Sequence, residues 1–205
     1  MTLTASDLLA RLRALDVLLR TDDRFVYDVP LELGPKADAL ALAAVEQATR
    51  IGVPEPWRTF LVEHASSGAF CFHTAEEHHE ALDVEWAGGD GGLELLDAAG
   101  MAEHRERILR YDPGARDLAF LPLAKDPSAA TWICVVATPD GDDIALVSHD
   151  KPVAASERWP IDSFFEGWSR AGFPIDSRWE DQSEIVLGIF AEAMGLGAEV
   201  SDDED

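Results

Sequence analysis

The chain has 205 residues, enough for one domain with appendages, because a single domain takes roughly 100 to 200 residues. Hydrophobic residues form 47% of it, with six tryptophans and nine phenylalanines, which excludes wholesale disorder and supplies an ordinary packed core. Forty acidic residues against 16 basic ones leave a net charge of −24, a field that repels phosphate backbones, argues against direct nucleic-acid binding and draws in basic partners.

Residues 4 to 20 place Leu8, Leu12, Leu15 and Leu19 at helical spacing, so an amphipathic helix packed on the domain is expected. Its polar face carries Asp7 and Asp16 beside Arg11, Arg13 and Arg20, which weighs against a membrane-surface role. No basic segment precedes an apolar run here, and no stretch elsewhere is long enough to span a bilayer. With two cysteines, Cys71 and Cys134, each in an apolar run, the expectation is a cytoplasmic protein with reduced thiols and no membrane partner.

"DVPLELGPKAD", residues 28 to 38, reads as turn-rich, and a second helix is expected from Pro35 to about Arg50, stopped by Gly52. A third follows from Pro54, with Trp57, Phe60, Leu61 and His64 on one face, which reads as core framework. From residue 69 the period becomes that of strands: "AFCFHT", "LDVEW", "GLELL", "LAFLPLA", "TWICVVAT" and "DIALVSHD". "TPDGDD" signals an antiparallel hairpin, with Pro139 and Asp140 in the turn and Gly141 where positive φ is needed. A helix over about 97 to 110 interrupts the strands. "SFFE", Ser163 to Glu166, has the form of a capping box opening a helix that ends near Gly172 and turns Ile161, Phe164, Phe165 and Trp168 to the sheet. A last helix is expected over about 181 to 194, and the closing "EVSDDED" reads as a disordered acidic tail.

No phosphate-loop, dinucleotide, nucleophile-elbow or H-E-x-x-H motif is present. "WAGGDGGLEL" lacks a lysine and reads as a strand connection. "HTAEEHHEALD" gathers His73, Glu76, Glu77, His78, His79, Glu80 and Asp83, nitrogen and oxygen donors that suit zinc or manganese; in a helix Glu76, His79 or Glu80, and Asp83 would share a face. A metal-dependent hydrolase built on this cluster is thus one alternative, although no recognised ligand spacing supports it. His64 and His149 read as framework histidines, and Ser66 and Ser67 have no base partner in view.

The order of pieces carries a further signal. Gly52, Pro54, Trp57, Phe60, Leu61 and Gly68 fall on a "GxxLPxxYxxFLxxxNGG"-like start, with Trp57 at the tyrosine position and "SSG" for "NGG". Phe120, Pro122, Leu123, Ala124, Asp140, Gly141, His149, Asp150, Ser163, Phe164 and Phe165 fall on a later "FxPLA" to "SFxEFL" half. In this the chain resembles the SUKH superfamily, the Smi/Knr-like proteins, over about Pro35 to Phe173. The resemblance implies an α+β fold: a single domain with a mostly antiparallel sheet and helices packed around it, plus extra N- and C-terminal helices. It divides the chain into an N-terminal helical extension (1–34), a SUKH-like domain (35–173), and a C-terminal helix with an acidic tail (174–205). It also implies a binding module with no catalytic residue, cofactor or metal, since many bacterial members are immunity proteins that neutralise a toxin domain, commonly a nuclease.

The expected function is therefore binding of a basic toxin domain. Contact residues are expected among the acidic loop positions Glu76, Glu77, Glu80, Asp83 and Glu85, and Asp140, Asp142 and Asp143. A regulatory scaffold, as in fungal relatives, and a DNA mimic that sequesters a basic DNA-binding protein are the remaining alternatives.

Overall fold

The computed structural model describes residues 3–84, 91–127, 131–174 and 182–196. Seven strands form one antiparallel sheet whose spatial order is the order of the chain. They are β1 (Phe25–Leu33), β2 (Gly68–Thr74), β3 (Gly91–Leu95), β4 (Phe120–Lys125), β5 (Thr131–Thr138), β6 (Gly141–Ser148) and β7 (Arg158–Pro160). The helices are α1 (Ala5–Thr21), α2 (Ala39–Thr49), α3 (Trp57–Glu63), α4 (Ala98–Tyr111), α5 (Ile161–Arg170) and α6 (Glu184–Ala193). The expected α+β single domain is what the chain forms.

Alternation along the strands sorts the core onto two faces of the sheet. Ile133 and Val135 of β5, Ile144 of β6, Phe70 and Phe72 of β2 and Phe25 of β1 join the main core with α1, α3, α5 and α6. Trp132, Cys134 and Val136, with Ala145 and Val147, point the other way and are covered by Ile108 and Leu109 of α4 and by Val153. Along β1 and β2 that second face is open: Val26 and Val29 remain 40% and 42% exposed.

The N-terminal helix forms as its leucine spacing dictates, with Leu8, Leu12, Leu15 and Leu19 buried. Thr4 caps it, accepting from the Asp7 amide, while the Asp7 carboxylate accepts in return from the Thr4 amide at 2.9 Å. Residues 25–33, however, are not part of a helical extension, nor a turn. They form the edge strand β1, paired with β2 through two register shifts that leave Pro30 exposed at the edge, where a missing N–H costs no ladder bond. Tyr27 helps hold the bend: its hydroxyl donates to Asp16 at 2.8 Å and accepts from the Leu31 amide at 2.6 Å.

The second helix begins at Ala39 rather than at Pro35, because the Asp38 carboxylate accepts from the Leu40 amide and caps it there. It ends on Arg50, which itself takes the left-handed conformation (φ 60°). Helix α3 seats Trp57, Phe60 and Leu61 fully inside, Trp57 stacking on Phe60 at 5.3 Å and on Phe165 at 5.6 Å. Gly68 opens β2 at φ 138°, where a Cβ would lie 2.2 Å from the Glu32 carbonyl oxygen, so only glycine lets β1 approach.

Two other expectations are corrected. Of "LDVEW", Leu82 and Asp83 lie in a turn and Val84 outside any strand, while Glu85 and Trp86 fall outside the described residues, as do the glycines Gly88 and Gly89 and the acidic tail. "SFFE" is not a capping box: α5 starts at Ile161, placing Ser163 inside its first turn, where its hydroxyl donates to the Pro160 carbonyl at 3.0 Å. Glu166 instead receives two bonds from Arg11 of α1, at 2.8 and 3.0 Å. Arg11 also donates to Ser169 at 2.6 Å, tying α1 to α5. Phe164, Phe165 and Trp168 are buried as expected, and Ile161 is half-buried. In α6 it is Val186 and Phe190 that enter the core, while Ile185 stays 47% exposed.

Candidate functional site

The first acidic group follows β2. Thr74 ends the strand, Glu76–His78 form one 3-10 turn, and the chain continues through turns to Asp83, whose φ is 51°. Glu76, Glu77, Glu80 and Asp83 are exposed and, among the described residues, form no ion pair; Glu85 lies outside those residues.

The helical metal face imagined for this segment does not exist. A single 3-10 turn aligns residues three apart only briefly. The imidazoles are also turned to separate partners: His73 Nδ1 lies 2.8 Å from Asp28 on β1, and His79 Nε2 lies 3.1 Å from the Thr74 carbonyl. Among the described residues no group of three or more His, Cys, Asp or Glu side chains is placed to hold one ion.

The second acidic group sits on the β5–β6 hairpin. Thr138 and Gly141 pair across the turn, Gly141 has φ 143°, and the Thr138 hydroxyl donates to the Gly141 carbonyl at 2.7 Å. Asp140 and Asp142 are exposed, Asp143 is half-buried, and none forms an ion pair among the described residues.

The two groups do not converge. Register places the β2 C-terminus beside the starts of β1 and β3, whereas the β5–β6 turn leaves the opposite end of the sheet. Two strands, β3 and β4, also lie between β2 and β5, so three spacings separate them, roughly 14 Å at the usual strand spacing.

A third feature was not legible in the sequence. Between the C-terminal turn of α4 and the segment after β6 lies an open cavity of about 170 Å³. Ile108 and Trp132 form its apolar base, and Tyr111, half-exposed, forms one wall. Asp112, His149, Asp150 and Lys151 supply its polar rim. The rim is ordered by local bonds: Asp112 accepts from the Val153 amide at 2.8 Å, and His149 Nε2 lies 3.1 Å from Asp150. The Tyr111 and His149 rings stand 6.3 Å apart. His149, expected to be framework, is thus at a rim, its side chain 52% exposed. Trp132 is itself fixed from behind, donating to His104 Nδ1 at 3.0 Å with the Arg107 guanidinium 5.8 Å from its ring.

The two serines that follow the third helix have structural roles. Ser66 donates through both its amide and its hydroxyl to the Pro35 carbonyl, at 2.8 and 3.0 Å, and the Ser67 carbonyl accepts from the Gly34 amide at 2.7 Å. Cys134 is fully buried, and burial pushes its thiol well above the ordinary range, so it is inert as a nucleophile at neutral pH. Among the described residues no helix is long and apolar enough to cross a membrane. No family model matches the chain, and no curated protein matches it in sequence.

Proposed function

We propose that the protein is a non-catalytic binding module of the immunity type, which neutralises a basic toxin domain by covering the surface with which that toxin meets phosphate. The observation that carries this reading is how the few cations are used. Arg11, Arg20, Arg24, Arg58 and Lys125 are bound to carboxylates of the fold itself. The carboxylates of the β5–β6 hairpin, Asp140 in the turn and Asp142 and Asp143 at the start of β6, and those of the turn after β2 are left without counter-charges among the described residues.

Unneutralised carboxylates on a chain of net charge −24 steer a basic partner towards contact and repel competing acidic surfaces. The hairpin is the better-built of the two surfaces, because a hydrogen-bonded turn joining two paired strands fixes Asp140 at its tip, with Asp142 and Asp143 beside it on opposite faces of the sheet. The SUKH resemblance supports the same reading, as does the α+β sheet with helices that it implies.

The test is kinetic. A basic toxin domain that binds the protein is mixed with wild type and with Asp140→Lys/Asp142→Lys/Asp143→Lys at low and high salt. The reversal should slow association about tenfold at low salt and flatten the salt dependence. An unchanged on-rate after reversing both this array and Glu76, Glu77 and Glu80 would remove the acidic surfaces from the binding mechanism.

A further inference from the structure

We propose that the cavity between α4 and the segment after β6 seats an arginine side chain of the protein partner. This rests on the reading of the protein as a binder of a basic partner and adds the anchor point that an acidic surface alone does not supply.

Three independent features favour a cation there. The cavity abuts the C-terminal turn of a 14-residue helix, where unpaired carbonyls concentrate negative potential. Two carboxylates face it, and each has an oxygen to offer: Asp112 uses Oδ2 for the Val153 amide, and Asp150 uses Oδ1 towards His149. Tyr111 presents an aromatic wall that is 53% exposed, with a ring face on which a cation can stack.

Among the lining residues two carboxylates, Asp112 and Asp150, stand against one lysine, Lys151, which is exposed on a flexible stem. Guanidinium suits the geometry better than ammonium. It is planar, it stacks on an aromatic ring while donating from its edge, and its fork matches a carboxylate. The apolar base of Ile108 and Trp132 then takes the aliphatic stem, and about 170 Å³ accommodates one such side chain but not a folded element.

Tyr111 sits on the last helical turn and Asp150 on the segment after β6, and neither belongs to a core cluster. N-acetyl-arginine methylamide is titrated into the labelled protein by NMR, with the citrulline analogue as the uncharged isostere. Saturable shifts are expected at Ser148 to Lys151 and at the Trp132 indole, with millimolar affinity and citrulline at least about tenfold weaker. Tyr111→Ala and Asp150→Asn should each weaken the arginine probe about fivefold with the protein still folded.

Equal shifts from both probes, no shift at these residues, or retained binding in Tyr111→Ala would overturn the assignment. Tighter binding of free arginine than of the capped form would also overturn it, in favour of a free amino-acid site. The experiment needs no toxin, so its failure leaves the hairpin reading standing, and an ineffective hairpin reversal leaves the cavity result standing.

Discussion

The pairing of Arg11 with Glu166 decides between two accounts of helix α5, and a double-mutant cycle separates them. If Glu166 belonged to a capping box with Ser163, Ser163→Ala would cost about 1 kcal/mol and Arg11 would be irrelevant to α5. In the structure Ser163 caps nothing, and Arg11, its side chain only 9% exposed, donates twice to the Glu166 carboxylate, once to the Glu166 carbonyl at 3.3 Å and once to Ser169. Two unit charges at such range interact by about 4 kcal/mol at an effective dielectric of about 20. Glu166 is 38% exposed and has Arg170 at 3.8 Å as a second cation, so solvent screening brings the net coupling to about 1 to 2 kcal/mol. Arg11→Ala also removes the bond that Ser169 accepts, leaves Glu166 without its nearer cation and loses the stem packing of a buried side chain, so it should cost about 2 to 4 kcal/mol alone. The assay is urea unfolding of Arg11→Ala, Glu166→Ala, the double variant and Ser163→Ala. Ser163→Ala should lie within about 0.5 kcal/mol of wild type. A coupling energy near zero together with a full cap-sized loss for Ser163→Ala would refute the reasoning.

Two further outcomes are expected. Phe60 is fully buried between Trp57 and His64, so Phe60→Ala should lose about 3 to 5 kcal/mol in denaturant unfolding, and a loss under about 1 kcal/mol would mean that the site collapses without a cavity. His104 is held below its usual pKa, first by burial and then by Lys125, and accepts from the Trp132 indole in its neutral form. Because its folded value is depressed, the contribution is complete above the ordinary histidine value of 6.5 and is lost as pH falls through the folded one. Wild type should therefore lose stability on acidification through this window with a change in tryptophan emission, and His104→Phe should flatten that part of the profile. An identical profile in the variant would show that His104 is not the group responsible.

Much of the fold could be read from local pattern. The leucines of α1, the aromatic face of α3 and the Asp-Gly turn between β5 and β6 each satisfy a rule that acts within a few residues, and each appears where that rule places it. Strand β1 was hidden because Asp28 and Pro30 mimic a turn; only pairing with β2 and an exposed edge make "FVYDVPLEL" a strand. The site divides in the same way. That the surface is acidic follows from composition, and that Asp140, Asp142 and Asp143 sit on a hairpin follows from the turn signal.

What the chain's local pattern could not contain is distance in space. The helical ligand face expected over Glu76 to Asp83 does not form, and His73 lies instead against Asp28, a residue 45 positions earlier in the chain, brought close by strand pairing. The two acidic groups separate because the order of the strands puts their loops at opposite ends of one sheet. The cavity exists because packing α4 across β5 and β6 brings Tyr111 and Asp112 against His149 and Asp150. Sequence by itself determined most of the helices, the β5–β6 hairpin, their core faces and the sign of the surface, since these depend on neighbours a few residues apart. Tertiary structure alone decided which side chains meet, because register and helix packing bring residues together regardless of their separation along the chain.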